Sequence, residues 1–188
     1  MGKMAIIFLV LLQAIIVRHK PPVAGGEWVN DSEALTLSAV GSPDQWTLGA
    51  GSTKVIACQT PDDDNTPYIN TGTTAGLIQM FALTDPAEIG ADDPIDSVKV
   101  RFRYIRAGTP GSYVRCRLVT GDGTLNGTAV QAGASYANRT EKFDEKPGGG
   151  AWTLSALNGL TAGVEFTSGN KDMRVTTIEV IAYYRKWQ

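Results

Sequence analysis

The sequence predicts an all-β domain: an antiparallel two-sheet sandwich, jelly-roll-like, carrying an apolar N-terminal extension. Three observations lead there. Twenty-one glycines and nine prolines among 188 residues cut the chain into short pieces. Between the cuts run short apolar stretches, several with strict alternation of apolar and polar residues. After residue 20 no stretch shows the period of a long amphipathic helix.

The extension comes first. From Met4 to Val17 thirteen of fourteen residues are apolar, Gln13 alone interrupting, and Arg18, His19 and Lys20 follow at once. As a helix this run extends about 21 Å, short of the roughly 30 Å hydrocarbon core of a bilayer. A secretory signal has its basic start and apolar centre here, yet small residues should follow, not RHKPP. Two readings stand: an assembly arm buried in a neighbouring subunit through Ile6, Ile7, Phe8, Leu9, Val10, Leu11, Leu12, Ile15 and Ile16, or a signal or anchor with membrane contact through residues 4–17. Pro21, Pro22, Gly25 and Gly26 mark the linker, so residues 1–23 form the extension and 24–188 the sandwich.

Within the sandwich, strands are expected at Ala34 to Val40, Thr53 to Cys58, Gly76 to Leu83, Ile95 to Ala107, Ser112 to Thr120, Thr128 to Gly133, Asn138 to Asp144, Gly163 to Thr167 and Met173 to Tyr184. Ser155 to Leu160 and Pro86 to Ile89 read as single helical turns. In VKVRFRY, Val98, Val100, Phe102 and Tyr104 share one face and Lys99, Arg101 and Arg103 the other. In YVRCRLV, Val114, Cys116 and Leu118 point inward, leaving Arg115 and Arg117 outside. Paired as a hairpin, the two strands carry all five cations on one basic face, fit for an acidic surface, a polyanion or a sulfated glycan. Glu179, in the last strand, is the expected offsetting acid; Ile181 and Tyr183 share its side and, with Trp187, are candidate assembly contacts.

Chemistry-bearing motifs are few. A formal charge of -2 with 19% charged residues is no polybasic signature, so no nucleic acid is expected as a partner. One histidine, His19, excludes a two-histidine metal centre within the chain, and its place beside the apolar segment argues against a Ser/His/Asp triad. Cys58 and Cys116 read either as buried free thiols or as one disulfide. GAGSTK lacks the Gly-Lys-Ser/Thr of a phosphate loop. The acidic run PDDDNTPYIN lacks the alternating ligands and late glutamate of a helix-loop calcium site, though Asp62 or Asp64 with backbone carbonyls could hold a structural calcium. It reads foremost as a turn delivering Tyr68 and Ile69 into a strand. A glycosidase needs two facing carboxylates in a cleft, and of the candidates Asp62 to Asp64, Asp92, Asp93, Asp122, Glu141, Asp144 and Glu145, all but Glu141 fall in or next to turn-like segments. Trp46, Tyr68 and Trp152 are the candidate aromatics for stacking on a sugar.

The run from about Gln45 to Tyr184, with PDDDNTPYIN, IDSVKVRFRYIRAG, WTLSALNGL and the closing RVTTIEVIAYY, resembles jelly-roll domains of bacteriophage virion proteins and of carbohydrate-binding-module-like extracellular proteins. The resemblance implies non-catalytic roles in capsid decoration, tail appendages or glycan attachment. The sequence-level expectation is thus a non-enzymatic structural subunit of a virion or extracellular surface assembly: a capsid-decoration or tail-associated protein, or a filament subunit. It would assemble through the apolar segment with copies of itself and other structural subunits, without a cofactor beyond the calcium. The alternative is a glycan-binding module or adhesin, secreted or membrane-tethered.

Overall fold

A computed structural model of the protein describes residues 25–59, 67–106 and 111–188. The chain forms an antiparallel two-sheet β-sandwich, jelly-roll-like, as expected. The front sheet contains β1 (Trp28–Leu35), β3 (Thr47–Ala50), β4 (Tyr68–Asn70), β6 (Ile95–Arg106), β10 (Ala137–Phe143) and β12 (Met173–Trp187). The back sheet contains β2 (Leu37–Asp44), β5 (Ile78–Leu83), β7 (Tyr113–Thr120), β8 (Gly123–Asn126), β9 (Val130–Gln131) and β11 (Thr161–Ser168). Two short helices, α1 (Lys54–Gln59) and α2 (Leu154–Asn158), complete the described elements.

Alternation does the folding. The inward rows Val98, Val100, Phe102, Tyr104 of β6 and Val114, Cys116, Leu118 of β7 are all buried. Each row needs a cover that its own sheet cannot supply, and the two strands lie in opposite layers, each row facing the other sheet. The hairpin expected from their closeness in sequence is therefore corrected: β6 pairs with β10 and β12, while β7 pairs with β8, β9 and β11.

Three further expectations change. Thr53 to Cys58 is α1, not a strand, despite its β-branched Val55 and Ile56. The Thr53 hydroxyl accepts from the Ile56 N–H at 3.2 Å and its carbonyl from Ala57 N–H at 2.9 Å, and Ala57 and Cys58 are buried in the core. Pro86 to Ile89 makes no helical turn; the Glu33 carboxylate accepts from the Ala87 and Glu88 N–H groups at 2.6 and 3.0 Å and fixes a bend instead. The third correction concerns Trp46 and Trp152, which are 1% and 3% exposed and so are core residues unable to stack on a sugar. Their indole N–H groups donate to the carbonyls of Leu77 and Phe143 at 3.1 and 2.9 Å, which is what lets such large rings be buried. The turn in WTLSALNGL is present as α2, with Thr153 accepting from Ala156 N–H at its start.

Cys58 and Cys116 are free and buried. Burial pushes the Cys116 thiol up to about 12, with the nearby Glu141 carboxylate adding to the rise, and raises Cys58 further. Burial likewise raises Tyr184 to about 12, helped by Asp31, whose carboxylate accepts from the phenol at 3.3 Å. In each case the folded state holds its proton more tightly than the unfolded chain. The resulting stability is complete below the unfolded values, near 9 for the thiols and 10 for the phenol, and is lost as pH rises through the folded ones. Urea midpoints should therefore be level near neutral pH and fall above about pH 9, by up to about 1.4 kcal/mol per pH unit for each titrating group. A midpoint at pH 11 equal to that at pH 8 would contradict this.

Candidate functional site

β12 organises the site. On one side its fifteen residues pair with β6 along nearly their whole length. On the other, β1 pairs from Val180 to Trp187 and β4 only at Arg174 and Val175. β1 stops there because Thr36 carries the chain across to the back sheet, where Leu37 pairs with Leu83. The front sheet is thus split beside Thr177 to Glu179.

The split opens a cleft of about 280 Å³ on the outer face, walled by the crossing Ala34 to Leu37, by Gln59 of α1, and by Arg101, Arg103, Asn138 and Thr177 to Val180. The Gln59 amide donates to the Leu37 carbonyl and ties α1 to the crossing. A second depression of about 210 Å³ adjoins it, lined by Lys99, Arg101, Thr140, Glu179, Ile181 and Tyr183. Both contain Arg101 and Glu179, so the two read as one groove.

Strand register explains the lining. Asn138, Arg103 and Thr177 lie side by side across β10, β6 and β12; Thr140, Arg101 and Glu179 form the next rung; Lys142, Lys99 and Ile181 the third. Every second residue of a strand faces the same way, so Lys99, Arg101 and Arg103 form a cationic row about 14 Å long. The Lys99 ammonium sits 4.1 Å over the Tyr183 ring, and the Arg103 guanidinium 5.1 Å over Tyr136. Lys99 thus provides part of the cover that an outward Tyr183 calls for. Arg101 meets Glu179 at 3.6 Å, the offsetting acid expected from sequence, with both side chains about half exposed at 52% and 41%. Among the described residues, Lys99, Arg101, Arg103 and Glu179 are the charged side chains that line the groove.

The basic face is consequently divided. Arg115 and Arg117 lie on the back sheet with Glu165, which accepts from Arg115 Nε and Nη2 at 3.1 and 3.0 Å and from Arg117 Nη1 at 3.2 Å. That pair is already neutralised in part by an internal fork. Tyr68 is half-buried on the outer front face beyond the split, its ring 4.6 Å from the Arg174 guanidinium and resting on Gly49. Trp187 meets the 45%-exposed Trp28 edge-on at 5.2 Å, at the far end of β12. Of the other expected assembly contacts, Ile181 and Tyr183 fall in the groove, and residues 6–16 lie outside the described residues, as do Asp62 and Asp64.

Other acids serve structure: Glu141, Asp144 and Asp122 pair with Arg139, Lys142 and Lys146, and Asp93 accepts from Gly90 N–H. Among the described residues no three His, Cys, Asp or Glu side chains are grouped to hold a metal ion. The polar groove residues missed by sequence reasoning are Thr36, Gln59, Asn138, Thr140 and Thr177. Alternation in NRTEKF already sets Asn138 and Thr140 on one side of their strand, but only the register brings them beside the arginines.

No protein-family model matches this sequence, and no curated protein does. Among solved structures the chain is similar to the CBM22-1 xylan-binding domain from Paenibacillus barcinonensis Xyn10C, at 12% identity and a TM-score of 0.47, covering 84% of this chain and 95% of that one. It is similar to the Family 11 Carbohydrate-Binding Module from Clostridium thermocellum, solved with a β-1,3-1,4-mixed-linked tetrasaccharide, at 12% identity and a TM-score of 0.41, covering 86% and 91%. A family 29 carbohydrate-binding module is similar at 9% identity and a TM-score of 0.39, covering 84% and 89%. Likeness at this level carries no argument about a ligand, and what the chain binds is read from its own groove.

Proposed function

We propose that this domain is a non-catalytic glycan-binding module whose ligand lies along the outer face of the front sheet. The observation that carries the reading is the rung-by-rung lining of the groove. Asn138, Arg103 and Thr177, then Thr140, Arg101 and Glu179, present donors and acceptors side by side on a rigid sheet, next to the apolar surface of Ile181 and Tyr183. A sugar ring has hydroxyls around its rim and C–H groups on its faces. Amide, guanidinium and carboxylate groups satisfy two neighbouring hydroxyls at once, and tyrosine and isoleucine take the C–H faces. Among the described residues the groove runs across β10, β6 and β12, which suits a polymer lying across the strands.

Native affinity electrophoresis of the full chain in gels containing soluble polysaccharides tests the reading. Retardation by at least one polymer is expected. Arg101→Ala should weaken it about tenfold or more, since a hydrogen bond to a charged group contributes roughly 1.5–3 kcal/mol. Arg101 is half exposed, so the variant should fold as the parent does. Unaltered mobility in every polysaccharide, from a protein with a native circular-dichroism spectrum, would overturn the proposal.

A further inference from the structure

We propose that Lys99 is a displaceable cap on Tyr183, covering the aromatic face of the groove until a glycan takes its place; this rests on the glycan-binding reading and deepens it. Three observations place the lysine there. Its ammonium lies 4.1 Å over the centre of the Tyr183 ring. Lys99 and Tyr183 line the same depression, with Ile181 of β12 and Thr140 of β10 on either side of β6. Lys99 stands opposite Ile181, and Ser97, opposite Tyr183, is small and buried, so it sets no bulk of its own against the ring.

Charge explains why the lysine leans this way. Lys99 also stands directly opposite Lys142 of β10, and residues so paired share a face. Two ammonium groups side by side repel. Lys142 turns to Asp144 at 2.5 Å, and Lys99 turns the other way, to the ring. Because Lys99 reaches Tyr183 from β6, and the groove runs across β6, the face it covers is the one turned toward the groove. A sugar stacks with its C–H groups in van der Waals contact, about 3.5–4 Å from the ring carbons, and the ammonium already fills that layer. An exposed cation–π contact is worth only about two- to fivefold in an equilibrium. The cap therefore covers an apolar ring in the free protein and yields to a ligand that gains more than this from stacking.

Two measurements on the full chain test this. By proton magnetic resonance of the free protein, the Lys99 ε-methylene signals should lie upfield of the ordinary lysine position, shifted by the Tyr183 ring, and should return to it in Tyr183→Leu. An ordinary position in the parent would overturn the cap. Isothermal titration with arabinoxylan, galactomannan and mixed-linkage β-glucan, and with any polymer that retards the chain in the gel, then reads its effect on binding. Lys99→Ala should tighten binding about two- to fivefold, and Lys99→Arg, which keeps a cation for the ring, should stay near the parent. Lys142→Glu should tighten it as well, by drawing the Lys99 ammonium off the ring toward β10 while leaving Lys99 and Tyr183 in place. In a Tyr183→Leu background Lys99→Ala should change nothing. Binding that is unchanged or weakened by Lys99→Ala would overturn the cap and leave the glycan-binding reading standing. No binding to any of these polymers would overturn both.

Discussion

Truncating Trp46 to alanine is expected to lower the unfolding free energy by about 3–5 kcal/mol, the range for a large aromatic removed from a packed core. The side chain is 1% exposed, so the cavity left behind opens among buried neighbours and not to water. The loss is not only one of volume. The indole N–H donates to the Leu77 carbonyl, which without it keeps only the Phe166 N–H as a donor. The backbone N–H of Trp46 donates to Gln79 Oε1 at 3.3 Å, a bond that the alanine variant keeps, so the loss is confined to the indole. For a domain of this size the melting temperature should drop by roughly 10 °C. Trp46→Phe should recover most of that and bind glycan as the parent does, because the ring belongs to the core and not to the groove. If Trp46→Ala melted within 2 °C of the parent, the packing described here would be wrong at this position.

Gly163→Ala should be nearly as costly, for a reason of space. Gly163 lies in β11 between β5 and β7, opposite Met80 and Arg117. A β-carbon there would come within 1.9 Å of the Gln79 carbonyl oxygen and 2.7 Å of the Met80 sulfur. The methionine can swing aside, but the carbonyl belongs to the neighbouring strand and moves only with the ladder. About 3 kcal/mol, the upper part of the range for overpacking, is the expected loss in a denaturant titration. Gly121, whose added β-carbon meets nothing within 4 Å, is the control and should stay within about 0.5 kcal/mol. Equal stabilities for the two variants would refute the steric account.

The sandwich was legible because alternation is local. Val98, Val100, Phe102 and Tyr104 announce a half-buried strand in seven residues, and the same holds for Val114, Cys116 and Leu118. Which strands become neighbours is not local. β6 lies between β10 and β12, tens of residues further along the chain, so the five-cation face built on sequence proximity comes apart into a groove row and a partly neutralised back-sheet pair. Glu179 could be named in advance as an acid offsetting the basic row, because charge complementarity is a short inference from alternation, but only the register matches it to Arg101. Asn138, Thr140 and Thr177 could not, since uncharged residues give no such cue. α1 was missed because Val55 and Ile56 favour a strand in isolation, whereas a threonine cap and the burial of Ala57 and Cys58 decide otherwise.

The antiparallel pairing of β1 with β12 also fixes how the domain would yield to a pull. Trp28 stands opposite Trp187, and Leu35 opposite Val180. Force applied between residues 25 and 188 would therefore unzip this ladder, loading one rung at a time from the tryptophan corner, instead of shearing all its rungs together. The last two rungs to part, Ala34 with Ile181 and Leu35 with Val180, are the ones that frame the groove. Tension would fray the corner long before it reached the groove, so a bound polymer and a strained chain end could coexist on one domain.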